Sequence, residues 1–433
     1  MRLLKTILSF SLILTTLIFA QDPEEVLQTA ETQRASGDFE GAEASLKQLL
    51  SVDPSFAPAH IGLSKLALHK GDLKKANEHS NTAVQMDEDF RDWSKQLDGI
   101  RIGIQNGTQA VKRGQFPEAV TEFEKILQNF PYFSEAYFYI GLTKFREKNL
   151  DGAATNWGKA LELYPKHRKA RKGLNNITKQ YLNNGNKAYK TGNLDKALTY
   201  YQQALKYDDS FYLAYFQIGV IEKKQGNSNR AIENFLKVLE LKPEYDKAWF
   251  TLGVAYEVDD KLTKAEEAYL KAIEINTGYT KAYGNLGKIY TDEGKYDEAL
   301  SLLNTAIQID PEYADGYMRI GFVHVAQNNP EEAIANLEIA ASINERNYNL
   351  WFSLAEQYNV VGKWDDAINA ALKCKDLKKS FGGSWYQMGI GEMGKKNKTR
   401  ARKYFEEARK DRSWRKLAER KIDEINNPAK YAK

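Results

Sequence analysis

The feature that most constrains this chain is a spacing. A small residue stands at Gly185, Gly219, Gly253, Gly287, Gly321, Ala355 and Gly389, and an alanine at Ala197, Ala231, Ala265, Ala299, Ala333, Ala367 and Ala401; every interval in both series is 34 residues. Two independent landmarks that keep one period through seven copies cannot plausibly arise by chance. The content of one period is a pair of helices. Tyr283, Leu286, Gly287 and Tyr290 fall at i, i+3, i+4 and i+7, one face of a helix. Gly294 breaks that helix. Ala299, Leu303 and Ala306 form a second stripe, and Pro311 ends it, since proline lacks an N–H and clashes with the preceding turn. The small residues Gly287 and Ala299 predict a close crossing of the two helices. Such a pair cannot bury its apolar faces alone and must stack on neighbours.

The same two series run backwards as Ala30, Ser64, Gly107, Gly141 and as Ala42, Ala76, Ala119, Ala153, with 9 and 10 extra residues interrupting them. Eleven repeats result, starting at 23, 57, 100, 134, 178, 212, 246, 280, 314, 348 and 382. The two interruptions, 91–99 and 168–177, carry Trp93, Leu97, Ile100, Ile104 and Ala170, Leu174, Ile177, Tyr181, both in 4-3-4 spacing. That spacing is a helical stripe, so each insert is expected to lengthen the first helix of the next repeat, although Gly99, Gly103 and Gly173 oppose it. The expected division is 1–20, 23–90, 91–167, 168–415 and a cap at 416–433. Trp414, Leu417, Ala418, Ile422 and Ile425 supply the apolar stripe of the cap, and Asn426-Asn427-Pro428 stops it. Each repeat of such an array is expected to touch only its neighbours.

The landmarks Trp249-x₂-Leu252-Gly253-x₂-Tyr256, Ala265-x₃-Tyr269 and their copy Tyr283-x₂-Leu286-Gly287-x₂-Tyr290 resemble the tetratricopeptide repeat. The resemblance covers the whole chain after the first 22 residues. It implies an all-α fold: an α-solenoid, wound as a right-handed superhelix, of about eleven helix-turn-helix repeats closed by a C-terminal capping helix.

Residues 1–20 read as a secretory signal peptide: Arg2 and Lys5, then the apolar run Ile7–Phe19, then Ala20, with Ile18 an imperfect match to the small residue expected there. The alternative is an uncleaved anchor; the run is short for a membrane-spanning helix, which needs about 20 residues. No cysteine follows it, which excludes a lipoprotein anchor. An exported chain, periplasmic or secreted and associated with the outer membrane in one version of the reading, follows. The formal net charge is +4, but residues 395–433 hold 15 basic and 6 acidic residues. Without Arg2 and Lys5 the remaining body is therefore acidic. The basic end suits an acidic partner or anionic headgroups, or is simply a solvated helix face. A smaller basic knot lies at Lys166, Arg168, Lys169, Arg171 and Lys172. An exported chain with an acidic body is a poor fit to nucleic acid. The single cysteine, Cys374, cannot form an internal disulfide and falls where other repeats have Ala272 and Ala306, so it reads as a small buried residue.

No catalytic or cofactor motif survives inspection. Gly389–Lys396 looks like a glycine-rich phosphate loop, but it lies inside a repeat helix without the preceding strand, and Lys396 stands where Ser or Thr is required. His60, His69, His79, His167 and His324 make no metal-ligand spacing. Three formal glycosylation sequons, at Asn106, Asn176 and Asn397, matter only in a eukaryotic secretory pathway. Every part of the chain after the leader is already assigned to a repeat, an insert or the cap, so a non-enzymatic protein with no cofactor and no metal is expected.

In the family that the repeats resemble, first helices line a concave groove for a partner protein or peptide, through the second, fifth, sixth, ninth, twelfth and thirteenth positions. Carried over, the fifth positions include Phe138, Leu182, Phe216, Phe250, Met318, Phe352 and Tyr386. The ninth include Leu142, Val220, Val254, Phe322 and Ile390, and the twelfth Phe145, Tyr189, Val325 and Met393. Phe138, Leu142, Phe145, Leu182, Tyr189, Phe216, Val220, Phe250 and Val254 are expected to form one apolar strip, or else to pack between adjacent first helices. Asn186, Gly284, Lys288, Thr291, Lys223, Glu257, Glu356 and Asn359 depart from that apolar character. The family's clamp for a terminal carboxylate is present only as the fragments Lys281, Asn285 and Arg319, so an adaptor for cytosolic chaperone tails is rejected. The expected function is an extracytoplasmic scaffold or adaptor that binds a partner segment in an apolar groove. The alternative is a holdase-like or assembly chaperone for exported or outer-membrane proteins.

Overall fold

A computed structural model describes residues 22–431. The signal-peptide expectation at 1–20 lies outside them. Among the described residues every regular element is a helix, and no strand is present. The repeats give eleven consecutive pairs, α1/α2 (Pro23–Ser36, Phe39–Val52) through α21/α22 (Gly382–Gly394, Lys398–Ala408), followed by α23 (Arg415–Asn426) and a short α24 (Pro428–Tyr431). The chain falls into two compact units that divide between Ala214 and Tyr215.

One backbone event recurs in all eleven repeats. The fifteenth residue adopts a left-handed conformation: Gly37, Gly71, Gly114, Gly192, Gly226, Gly294 and Gly362, and also Lys148, Asp260, Asn328 and Lys396. Left-handed backbone ends the first helix and reverses the chain, which favours glycine because a Cβ meets the following carbonyl there. The second helix then starts on a side-chain cap in several repeats. Asp38, Asp72, Asn149, Asn193 and Asn397 each accept a hydrogen bond from the backbone N–H three residues on.

The close crossing predicted at the eighth position is present. It is made for a ring at the twenty-fourth: a Cβ added at Gly185 would lie 2.3 Å from Tyr201, and one added at Gly253 would lie 2.6 Å from Tyr269. Where the eighth residue is Ala355, the twenty-fourth shrinks to Ala371, and both are fully buried. Most helix pairs thus fix their crossing by matching a small residue to a large one, while Ser64 with Ser80 and Ala355 with Ala371 match two small ones.

Unit 1 contains the two inserts. Both 4-3-4 stripes lie on uninterrupted 23-residue helices, α5 (Arg91–Arg113) and α9 (Arg168–Lys190). The expectation that each repeat meets only its neighbours fails here. The first repeat also touches the segments that precede the fourth and fifth. Phe39 packs against Tyr164 (5.5 Å between centroids), Lys166 donates to Glu40 (2.5 Å), and the Arg34 guanidinium lies 4.9 Å over Tyr132. Ser134 on α7 (Ser134–Arg146) donates to the carbonyl of His69, at the end of α3 (Ala57–His69), over 3.0 Å. The extra turns of α5 occupy the ordinary stacking surface of the second repeat. Trp93 donates to Ser64 (2.8 Å) and meets Phe130 edge-on.

Unit 2 keeps the period without interruption. Its cap is narrower than expected: Ala418 and Ile422 are buried, but Leu417 is 46% exposed and leaves the stripe. Leu417 follows Trp414 by three residues, yet Trp414 precedes α23 and turns into a cluster with Phe352, Phe381 and Tyr386.

Candidate functional site

The first helices place the candidate residues at equivalent points of successive repeats. An aromatic side chain at the fifth position sits in a socket between two rings. In most repeats one ring comes from the second helix of the same repeat and one from the segment that follows; for Phe352 both come from beyond its own second helix. In unit 1, Phe138 stacks on Trp157 (6.4 Å) and meets His167 (5.5 Å), and Phe145 meets the same Trp157 (5.7 Å). Leu142, Leu182 and Tyr189 are half-buried, and Asn186 accepts a hydrogen bond from the Tyr201 hydroxyl at 2.8 Å. In unit 2, Phe216 lies between Phe235 and Tyr245, Phe250 between Tyr269 and Tyr279, and Phe352 between Phe381 and Trp414. Tyr386 packs on Phe405 and Trp414. The eighth repeat lacks such a side chain because its socket is filled from below. A Cβ at Gly284 would come within 2.5 Å of the Tyr313 hydroxyl oxygen. These side chains are half-buried, so they support the helix stack and present an edge as well. Val220 and Met318 are half-buried, Val254 packs against the Tyr269–Leu286 cluster, and Phe322 is 39% exposed.

The structure also assembles residues that sequence reasoning set aside. Across α13 (Asp246–Val258), α15 (Thr280–Asp292) and α17 (Ala314–Ala326) runs a polar ladder. Glu257 takes Lys288 Nζ at 2.6 Å and the Tyr269 hydroxyl at 2.8 Å. Asn285 donates to the same hydroxyl (3.1 Å) and accepts from Arg319 (3.2 Å), whose Nε donates to Asp315 at 2.7 Å. Burial, then the Glu257 carboxylate, drives the Tyr269 hydroxyl pKa well above the ordinary tyrosine range. Asn285 and Arg319, read in the sequence as fragments of a clamp, are thus joined; Lys281 stays exposed and outside the network. Sign alternation between the twelfth position of one repeat and the ninth of the next was the clue. Two further residues of the same face were missed: Val258 and Val360, both at thirteenth positions, are 68% and 66% exposed. Their clue was an aliphatic residue in a column otherwise rich in charge. Between α19 (Tyr348–Val360) and α21, the buried Asn359 donates to the carbonyl (3.0 Å) and side-chain oxygen (2.9 Å) of Gln387.

Other titratable groups are held by packing. Burial alone would raise the Glu135 pKa, but contacts with His167 (3.0 Å) and Lys169 (2.7 Å) outweigh it and hold the carboxyl below its usual range. Cys374 is buried, and burial pushes its thiol up to about 12. Among the described residues no helix is long and apolar enough to cross a membrane.

Family profiles described as tetratricopeptide repeat match residues 33–95, 104–168, 179–211, 217–280 and 268–301, and one described as TPR repeat matches 287–328. No curated protein matches the chain. Among solved structures, MamA is 29% identical over 39% of this chain and 93% of its own, with a TM-score of 0.35. A tetratricopeptide repeat protein from Parabacteroides merdae is 15% identical over 58% of this chain and 100% of its own (TM-score 0.45). The Cut9–Hcn1 structure of the APC/C is 13% identical, covering 94% and 97% of the two chains (TM-score 0.49).

Proposed function

The chain belongs to the tetratricopeptide repeat family, and from that premise we propose that it is an exported, non-enzymatic scaffold that holds a partner protein or peptide on its first-helix face. Arrays of this family act as protein-interaction scaffolds. The observation that carries the finer reading is the exposure of Val258, Phe322 and Val360 (68%, 39% and 66%) on that face of unit 2. Taken singly, exposed apolar residues need no explanation. Three on the same face of one unit, beside the half-buried rings of Phe250 and Phe352, fit a surface that a partner covers. The basic run and apolar stretch at the N-terminus support export to a periplasmic or extracellular space. Among the described residues, the exposed cations Lys398, Arg402, Lys403, Arg412 and Lys416 make no ion pair, which supports an acidic partner at the basic end.

The test is a double variant, Val258→Asp with Val360→Asp. Both side chains are solvent-exposed, so thermal unfolding should not change. A partner captured from the envelope by the wild type and identified by mass spectrometry is then titrated directly against both proteins. Loss of at least about 2 kcal/mol of affinity is expected, as at a binding hot spot. Equal affinity would place the site elsewhere. Suppressed aggregation of several unrelated clients would favour the chaperone over the single-partner scaffold.

A further inference from the structure

The ion pair between Glu257 and Lys288 shows that the twelfth position of one repeat faces the ninth position of the next. By the repeat register the same step in unit 2 matches Lys223 with Val254, Glu257 with Lys288, Thr291 with Phe322 and Val325 with Glu356, while at the fifth step Asn359 turns to Gln387 instead. Only the second is a matched ion pair. The first has a cation opposite a valine, and the fourth has an anion opposite a valine.

Neither orphan finds compensation elsewhere. Among the described residues no hydrogen bond or ion pair reaches the Lys223 ammonium or the Glu356 carboxylate. Lys223 is half-buried, and burial alone lowers its pKa. Glu356 keeps access to solvent, yet the chain crowding its carboxyl raises its pKa, again with no second cause. A charge that is partly stripped of water and left unpaired is costly unless something supplies its counter-charge.

We propose that Lys223 and Glu356 read the charge order of a bound segment: an acidic side chain of the partner on Lys223 and a basic one on Glu356, with apolar residues between. This rests on the first-helix face being the binding surface. Packed helices lie roughly 8–10 Å apart, and the first helices of the sixth and tenth repeats are four such steps apart, so the two groups are separated by about 32–40 Å, the reach of an extended segment of about ten to twelve residues. The intervening rungs suit the middle of that segment. Glu257 and Lys288 already satisfy each other, and Phe322 and Val258 offer apolar contact. The partner class is thus a dipolar peptide segment, bound in one direction.

The probe is a set of labelled dodecapeptides with leucine and serine interiors: aspartate first and lysine last, the reverse order, aspartate at both ends, and lysine at both ends. Fluorescence anisotropy with the full chain measures each affinity. One dipolar order should bind at least tenfold tighter than its reverse and than either uniform peptide. Lys223→Glu combined with Glu356→Lys should invert the preferred order. Lys223→Met with Glu356→Gln, the milder pair, should abolish the preference without inverting it. Binding that ignores charge order, yet is lost in the Val258→Asp and Val360→Asp variant, overturns this inference and leaves the face reading standing. No binding by any of the peptides overturns both.

Discussion

Units 1 and 2 are built from the same helix pair, but they differ in how fully the charges at the same positions are paired. In the first repeat the ninth and twelfth residues are Glu31 and Arg34. They pair with each other, and Arg34 also lies 3.2 Å from His69 and over the Tyr132 ring, so both charges hold unit 1 together. In unit 2 the equivalent positions include Lys223 and Glu356, which hold nothing. The difference follows from the inserts. The extended α5 breaks the stacking that the second repeat would otherwise offer, and unit 1 closes through contacts between distant repeats. An uninterrupted stack needs no such closure: Glu257 and Lys288 pair between successive repeats, and Lys223 and Glu356 are left unpaired among the described residues. Within this chain, the interrupted unit pairs the Glu31 and Arg34 charges internally, while the uninterrupted one leaves those two charges without a mate among the described residues.

The sharpest way to break that comparison is to remove the closure. Phe39 is 5% exposed and packs against both His69 (4.9 Å) and Tyr164 (5.5 Å). Phe39→Ala should cost about 3–5 kcal/mol, as for a core aromatic. Amide exchange resolved by unit should show the loss in unit 1 while unit 2 keeps its protection. A loss below about 1 kcal/mol would mean that the distant contacts are incidental and that the contrast between the units is one of appearance only.

Much of this was legible in the sequence, for reasons that also explain what was not. The helix pairs, the turns at Gly37 to Lys396 and the crossing of Gly253 over Tyr269 recur every repeat, so each copy reinforces the reading of the others. The closure of unit 1 has no period. Lys166 reaches Glu40 across 126 residues, and Tyr132 and Tyr164 stand outside the helices that carry the repeat pattern. The Glu257–Lys288–Asn285–Arg319 ladder was hidden differently. Each member looked like a departure when compared down its own column, and only the pairing between columns gives it meaning. Leu417 fell on the wrong side of the cap because helical spacing was counted from Trp414, which lies just before the helix begins.

A smaller effect separates the units by pH. Burial, then the Arg34 guanidinium beside it, lowers the His69 pKa from its usual 6.5 to about 4. The unfolded chain therefore takes up a proton near pH 6.5 that the folded chain refuses until about pH 4. Stability of unit 1 should be complete above pH 6.5 and fall as pH drops from there toward 4. His69→Gln should flatten that part of the curve relative to wild type, read from denaturant unfolding at pH 7.5, 5.5 and 4.5. Parallel curves for the two proteins would remove His69 from the closure.

The smallest expected effect compares the units at a point where they are alike. Lys148 in unit 1 and Lys396 in unit 2 both hold φ near +60° (65° and 59°) at a turn where seven other repeats have glycine. A lysine there meets a steric cost of about 1–2 kcal/mol that glycine escapes. Glycine loses part of that advantage, about 0.4–1 kcal/mol, because it makes the unfolded chain freer. Lys148→Gly and Lys396→Gly should therefore each stabilise by roughly 0.5–1 kcal/mol. Both side chains are exposed and bear no cap, since Asn149 and Asn397 do that work, so no contact is lost with either. Because the turn is local, the gain should be equal in the two units despite their different packing. A gain in unit 2 but not in unit 1 would show that the closure strains the turn at Lys148 as well, and that the interruption of the period reaches further into the helix pairs than their geometry suggests.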